Sequence, residues 1–100
     1  MKTLQYFHIP DAPESTVELP IGISLIDADV IAGEIAIWFL DSYSDDSVTL
    51  TFYILAEGDE IADNFPGQYF KRVEIDDRDR FIFFKQNAKK RAPIVAKVAE

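Results

Sequence analysis

The chain has no cysteine, one histidine and only four glycines among its 100 residues. The absence of cysteine excludes disulfides and thiolate metal clusters, so the core must hold the fold together without covalent links. A catalytic triad or histidine-based metal site would need unusual help from a single histidine, and we interpret His8 as structural. The glycines stand alone in the sequence, which excludes the glycine-rich phosphate-binding loops of nucleotide hydrolases and dinucleotide enzymes.

Long apolar runs are also missing. The longest, residues 35–40, is far too short to cross a bilayer. The N-terminal segment reaches Pro10 and Asp11 before any apolar stretch that would serve as a signal peptide. We therefore expect a cytoplasmic location and no membrane partner. With 100 residues the chain has room for one domain with one core.

Basic residues are missing from most of the chain, since no lysine or arginine occurs between Lys2 and Lys71. Residues 1–70 carry one lysine and thirteen carboxylates, a net charge of −12. Residues 71–100 carry nine cations and five carboxylates, a net charge of +4, which gives −8 for the whole chain. This separation into an acidic body and a basic end bears on partners more than on chemistry. Sequence-general binding to nucleic acid is disfavoured, because the net negative charge repels phosphate.

Hydrophobic periodicity predicts β-strands almost throughout. The clearest is residues 47–55, where apolar side chains at every second position alternate with threonine and tyrosine. The other predicted strands are residues 4–9, 16–19, 25–31, 34–40, 68–75 and 80–85. Seven short strands with short links predict an all-β fold, either an antiparallel sandwich or an open barrel. This single domain is expected to span residues 1–85, followed by a basic C-terminal extension over residues 86–100.

Turn residues separate the predicted strands. Gly22 is expected at the fourth position of a type I turn, Gly33 in a tight hairpin, and Gly67 at positive φ in a type II turn. Residues 42–46 and 76–79 are polar and are predicted to form longer hairpin loops.

Two of the predicted strands are apolar on both faces. In residues 34–40 isoleucine and phenylalanine occupy one face of the strand, and alanine, tryptophan and leucine occupy the other. Residues 81–84 are apolar throughout. Such strands are covered by central placement between two sheets, by residues 86–100 or by an identical chain. We expect self-association into a homo-oligomer. The residues expected to mediate it are Trp38, Leu40, Ile82 and Phe84.

Several segments together resemble a family of short uncharacterised proteins from phages and prophages. They are TVELPIG at residues 16–22, the alternating residues 25–33, IWFL at 37–40 and FYILAEG at 52–58. The resemblance spans about residues 4–85. It implies a small all-β fold and a viral setting, so that the chain would act inside a host cell, and it implies no cofactor or catalytic residue. The chain differs from the family by its extension after residue 85 and by Ile35, where the family often has proline.

Paired carboxylates are the remaining chemical candidates. Asp27 and Asp29 lie two residues apart on a predicted strand, so both point to one face. A glycosidase or metal pair is one interpretation and an ordinary solvated face is the other, which we favour. Residues 41–46 and 57–63 resemble calcium-binding loops only loosely, and solvated loops are favoured there too. We predict no catalytic residue, no metal and no cofactor, and hence no enzyme.

The charge pattern predicts two binding surfaces. An acidic surface is expected to contact a basic site on a host protein, through Asp27, Asp29, Asp45, Asp46, Glu57, Asp59 and Glu60. A basic cluster is a candidate site for a small anionic, nucleotide-like ligand, formed by Arg72, Arg80, Lys89, Lys90 and Arg91. Alternatively, the basic end compensates the acidic body.

Three functions follow as hypotheses: a protein that counteracts a host defence factor, an oligomeric sponge for an anionic ligand, and an accessory protein of virus particles or their assembly.

Overall fold

A computed structural model describes residues 2–87 of the chain. Within that range it contains no helix and seven strands: β1 (Thr3–Ile9), β2 (Glu14–Pro20), β3 (Ser24–Ile31), β4 (Glu34–Asp41), β5 (Ser47–Leu55), β6 (Gln68–Ile75) and β7 (Arg78–Gln86). The all-β prediction is confirmed, and every predicted strand lies within an observed one. None of the described residues forms a helix of the length and apolarity that a membrane span requires.

The strands form two antiparallel sheets. Sheet A has the strand order β1-β4-β3, and sheet B has the order β2-β5-β7-β6. Irregularities shift the register once in each sheet, at Ile26 of β3 and at Phe70 of β6. The inner faces of both sheets contribute to a single core, so the predicted sandwich is confirmed.

The core lies between the central strands. The side chains of Ile35 and Ile37 on β4, Phe52 on β5 and Ile82 on β7 are completely buried there. Each of these strands has a neighbour on each side and a sheet beneath it, and β4 and β7 also approach continuous apolar runs. Central placement therefore accounts for one face of each two-sided strand, and each sheet keeps one outward face.

The connections agree with the sequence in one case and differ in two. Ala32 and Gly33 form the predicted tight hairpin, with positive φ at both positions. Residues 76–79 do not form a longer loop, because β7 begins at Arg78 and the turn consists of two residues only. Residues 42–46 do not close a hairpin either, since they carry the chain from β4 in sheet A to β5 in sheet B.

Two glycines have other roles than those predicted. Gly22 has a φ of +83° and lies in a turn with Ile21, so it is the third residue of that turn and not the fourth. Gly67 does not have positive φ. It is needed for space instead, because a Cβ atom there would lie 2.5 Å from Cε2 of Phe65.

Candidate protein-binding surface

The outward face of sheet A carries large apolar side chains. Four of them lie on the alternate positions of β1 and β4 that do not enter the core, and together they are termed the aromatic face: Leu4, Tyr6, Trp38 and Leu40. The β1–β4 register sets Tyr6 directly opposite Trp38, and their ring centroids are 4.9 Å apart. Leu4 is 53% exposed and Tyr6 43% exposed. Trp38 and Leu40 are half-buried, so solvent reaches the face across both strands.

The aromatic face is ordered by contacts between neighbouring strands. Trp38 lies on the central strand between Tyr6 of β1 and Asp27 of β3, which explains why it is less exposed than Tyr6. Tyr6 also makes an edge contact with the ring of His8, at 5.5 Å between centroids. The Nδ1 atom of His8 lies 3.2 Å from the carbonyl oxygen of Ile35. These contacts agree with a structural role for His8 and fix the tyrosine against the tryptophan.

The outward face of sheet B is also aromatic, but the chain covers its centre and leaves Tyr69 exposed. The segment between β5 and β6 sets the ring of Phe65 against Tyr53 and Phe83, with centroid distances of 4.9 Å and 5.6 Å. Tyr69 packs on the other side of Phe83, at 5.5 Å. This cover was not predicted from the sequence. The sequence feature that indicates it is Phe65-Pro66-Gly67, in which an aromatic residue directly precedes a proline and a glycine.

Two of the predicted self-association residues lie on the wrong side of their strand. Ile82 is completely buried in the core, so it is not available to a second chain and that prediction is wrong. Phe84 also faces inwards, where its ring packs against Phe52 and Phe70. The period-two alternation of β7 turns Phe83 outwards instead. Of the four predicted residues, only the two on β4 belong to an outward face.

Two aspartates flank the aromatic face on β3. Asp27 lies opposite Trp38, and Asp29 lies opposite Ala36. Both are exposed, and the carboxylate of Asp27 is 3.9 Å from the ammonium group of Lys71 on β6. The prediction that both aspartates point to one face is therefore correct. The neighbours of Asp27 are the ring of Trp38 and the ammonium group of Lys71 from the other sheet.

Both carboxylates are engaged with their own strand. The Oδ1 atom of Asp27 accepts a hydrogen bond of 2.8 Å from the backbone N–H of Ala28, and that of Asp29 accepts one of 2.7 Å from Val30. Within residues 2–87 there is no group of three residues able to hold a metal ion. The exposure of both carboxylates and their bonds to their own backbone fit the interpretation as a solvated face.

The structure does not bring the other predicted acidic residues together. Asp45 and Asp46 precede β5, whereas Glu57, Asp59 and Glu60 follow it. Since β5 has nine residues, the two groups are separated by about 27 Å along the sheet. The predicted acidic surface is therefore three separate groups, of which the pair on β3 adjoins the aromatic face.

An acidic end of the sandwich was not predicted from the sequence. The ends of β1 and β5 meet the β3–β4 and β6–β7 turns there. Six carboxylates line two neighbouring clefts at this end: Asp11, Glu34 and Asp76 in one, and Glu57, Asp77 and Asp79 in the other. Asp11, Glu34 and Glu57 are distant in sequence from the three aspartates of the β6–β7 hairpin, and the order of the strands brings them together.

The predicted anion site is not assembled by the described residues. Arg72 lies over the ring of Phe81 on the outward side of sheet B, 6.0 Å from its centroid. Arg80 points to the opposite side of the sheet, where its Nε atom is 3.1 Å and 3.2 Å from the two carboxylate oxygens of Asp11. The two arginines therefore do not converge, and Arg80 already has an anionic partner. Lys89, Lys90 and Arg91 lie outside the described residues.

Comparisons with known proteins add no relative. No protein-family model matches the chain, and neither the curated proteins nor the solved structures give a significant match. The resemblance to phage and prophage proteins therefore stays a prediction.

Proposed function

We propose that the chain is a non-enzymatic binding protein that docks its aromatic face on a basic site of another protein. The observation that carries this proposal is the difference between the two outward faces. On sheet B the central rings of Tyr53 and Phe83 are covered by Phe65 of the chain itself, and only Tyr69 at the β6 side is exposed. On sheet A the rings of Tyr6 and Trp38 remain accessible within the described part of the chain.

The chemistry of the aromatic face suits protein binding. Tryptophan and tyrosine are the residues most often found at the energetic centre of protein interfaces. Here the rings of Tyr6 and Trp38 already contact each other at 4.9 Å between centroids. Because the two side chains are held in place before binding, little conformational freedom remains to be lost when a partner covers them.

The charge around the face selects the partner. Asp27 and Asp29 lie at its β3 side, and residues 2–87 carry seventeen carboxylates and six cations, a net charge of −11. A partner with an apolar centre and a rim of lysine or arginine complements this arrangement. Such a charge accelerates association with a basic partner at low ionic strength.

The resemblance to phage and prophage proteins supplies the biological setting of the proposal. The partner is then a host factor in the cytoplasm of a bacterial cell, and binding blocks the basic site through which that factor acts. Proteins that handle nucleic acid have such sites, because they must neutralise phosphate.

The test is capture from a bacterial lysate with three baits: the wild type, Trp38→Ala and Tyr69→Ala. Trp38 is on the aromatic face, whereas Tyr69 is an exposed aromatic residue on the outward side of sheet B. We expect a specific protein with the wild type and Tyr69→Ala, and its loss with Trp38→Ala. Thermal unfolding of each bait checks that the fold is intact, and Leu40→Lys provides a second probe of the same face. Capture that survives both changes on sheet A would contradict the proposal.

Salt dependence tests the acidic part separately. Asp27→Asn and Asp29→Asn remove two charges but retain the Oδ1 atoms that accept the backbone hydrogen bonds. We expect the double variant to bind more weakly and with a shallower dependence on ionic strength than the wild type. An unchanged affinity, or wild-type binding that does not respond to salt, would remove the basic site from the proposal.

A further inference from the structure

The two sheets have four edge strands, and three of them are protected against pairing with another strand. β3 has a register shift at Ile26 and the two aspartate carboxylates on its own N–H groups. β6 has a register shift at Phe70 and exposed charged residues. β2 carries two glutamates and ends at Pro20. Charged residues, proline and irregular register are the usual means by which proteins block their sheet edges.

β1 has none of these protections. Its seven residues, Thr3–Ile9, include no carboxylate, lysine, arginine or proline. Its pairing with β4 is continuous over all seven positions, without a register shift. It is therefore a regular, neutral edge, which is the kind of edge to which a further strand adds.

The hydrogen-bonding groups of β1 that pair with no other strand of residues 2–87 can be identified from those of β3. In an antiparallel sheet each residue directs both backbone groups to the same side, and the side alternates along the strand. The N–H groups of Ala28 and Val30 bond to aspartate side chains, so these residues do not bond to their partners on β4. Those partners, Ile35 and Ile37, consequently face β1.

It follows which residues of β1 point outwards. Ile35 and Ile37 lie opposite Ile9 and Phe7, so those two residues of β1 bond to β4. The intervening Leu4, Tyr6 and His8 direct their backbone groups away from the sheet.

We infer that β1 pairs antiparallel with β1 of a second copy of this chain, about a two-fold axis at Tyr6. This pairing sets Tyr6 opposite its symmetry mate and Leu4 opposite His8 of the other copy. The two copies of sheet A then form one six-stranded sheet with a continuous outward face. The inference does not depend on the proposed function, because it concerns the edge of sheet A and not the partner of its face.

A second copy fits this edge better than a segment of a basic partner. β1 carries no carboxylate that could attract a basic segment. For the same reason two copies of the chain can meet along β1 without placing acidic side chains opposite each other, although each has a net charge of −11 over residues 2–87. The pairing also contacts the two most exposed members of the aromatic face, Leu4 and Tyr6, which both lie on β1. Each gains a cross-strand neighbour.

Single cysteines test the geometry without interference, because the chain has no cysteine of its own. Tyr6→Cys places a thiol at the two-fold axis, where the Cα atoms of a hydrogen-bonded pair are about 5.5 Å apart and within disulfide range. Ser24→Cys is the control on β3, at the opposite edge of the same sheet. Under mild oxidation we expect a disulfide dimer from Tyr6→Cys and monomer from Ser24→Cys. Equal cross-linking of both variants, or none of Tyr6→Cys, would overturn the inference.

A second experiment separates strand pairing from contact between side chains. Leu4→Pro with His8→Pro removes two outward N–H groups, whereas Leu4→Ala with His8→Ala removes the same side chains and retains those groups. Light scattering is expected to show a dimer for the wild type, a weaker dimer for the alanine variant and a monomer for the proline variant, with circular dichroism to verify the β fold. A monomeric wild type, a proline variant that still dimerises, or equal dissociation of both variants would overturn the inference. If the proline variant does not fold, the cysteine experiment decides.

Discussion

The ring of Phe65 stands edge-on against the ring of Phe83, with 5.6 Å between centroids and 81° between planes. This contact covers the centre of the outward face of sheet B, and no comparable contact covers the aromatic face of sheet A among residues 2–87. It requires the backbone at Gly67 to pass very close to the Phe65 ring. A Cβ atom at this position would also lie 3.1 Å from Cβ of Phe83. The cover of sheet B therefore depends on a glycine that has an ordinary backbone conformation.

Gly67→Ala is expected to lower the free energy of unfolding by about 1–3 kcal/mol, because the added methyl group collides with the Phe65 ring. Urea denaturation measures the change. The matched experiment repeats the substitution in a Phe65→Ala background, where most of the collision is absent and the cost should be much smaller. Equal costs in both backgrounds would show that the ring is not the cause.

Asp77→Gly is expected to raise the free energy of unfolding by about 0.5 kcal/mol, because a type I′ turn favours glycine at its second central position. Asp76 and Asp77 have φ values of 52° and 63° in this turn. Asp79→Gly removes the same charge from β7, where glycine should destabilise the strand by about 0.5–1 kcal/mol. Thermal unfolding distinguishes the two. Shifts of the same sign would point to the lost charge instead of the turn.

Ser15→Ala is expected to stabilise the protein by about 1 kcal/mol. The hydroxyl of Ser15 is buried without a hydrogen-bond partner among the described residues, opposite Phe52 on the inner side of sheet B. Ser42→Ala is the control, since that hydroxyl donates to the carbonyl oxygen of Ile21 and its removal should destabilise the fold. Chemical denaturation of both variants checks the contrast. Destabilisation by Ser15→Ala would mean that its hydroxyl does have a partner.

The ion pair of Asp11 and Arg80 is expected to contribute about 1 kcal/mol of coupling energy, measured by a double-mutant cycle with alanine. The arginine side chain is only 20% exposed, and its Nε atom contacts both oxygens of the carboxylate. The pair of Asp27 and Lys71 is longer, at 3.9 Å, and more exposed, so its coupling should be close to zero. Equal couplings would mean that exposure does not govern these pairs.

Most of the fold could be predicted from the sequence because strands leave a local signal. Alternation of apolar and polar residues or short, wholly apolar runs located all seven strands, and Ala32-Gly33 identified its hairpin. The partners of the strands leave no such signal. Residues 42–46 have the composition of a hairpin loop but connect two different sheets, since β5 completes its pairing with β2 and β7.

The candidate site was predicted in part, for a similar reason. Trp38 and Leu40 were identified because their strand is apolar on both faces, whereas the cover provided by Phe65 depends on a long connection folding back. The opposite orientation of Arg72 and Arg80 was foreseeable. In a hairpin with an even number of turn residues, even-numbered residues pair with odd-numbered ones, which puts these two on different faces.

The strand order of sheet B also bears on how the protein is made. Among the strands of residues 2–87, β7 is the last to be synthesised, yet it lies between β5 and β6. A nascent chain therefore cannot complete this sheet until Gln86 has left the ribosome, and until then β5 lacks one of its two neighbours. Sheet B therefore forms only after all four of its strands have been synthesised, and during that interval the apolar face of β5 is open to chaperones.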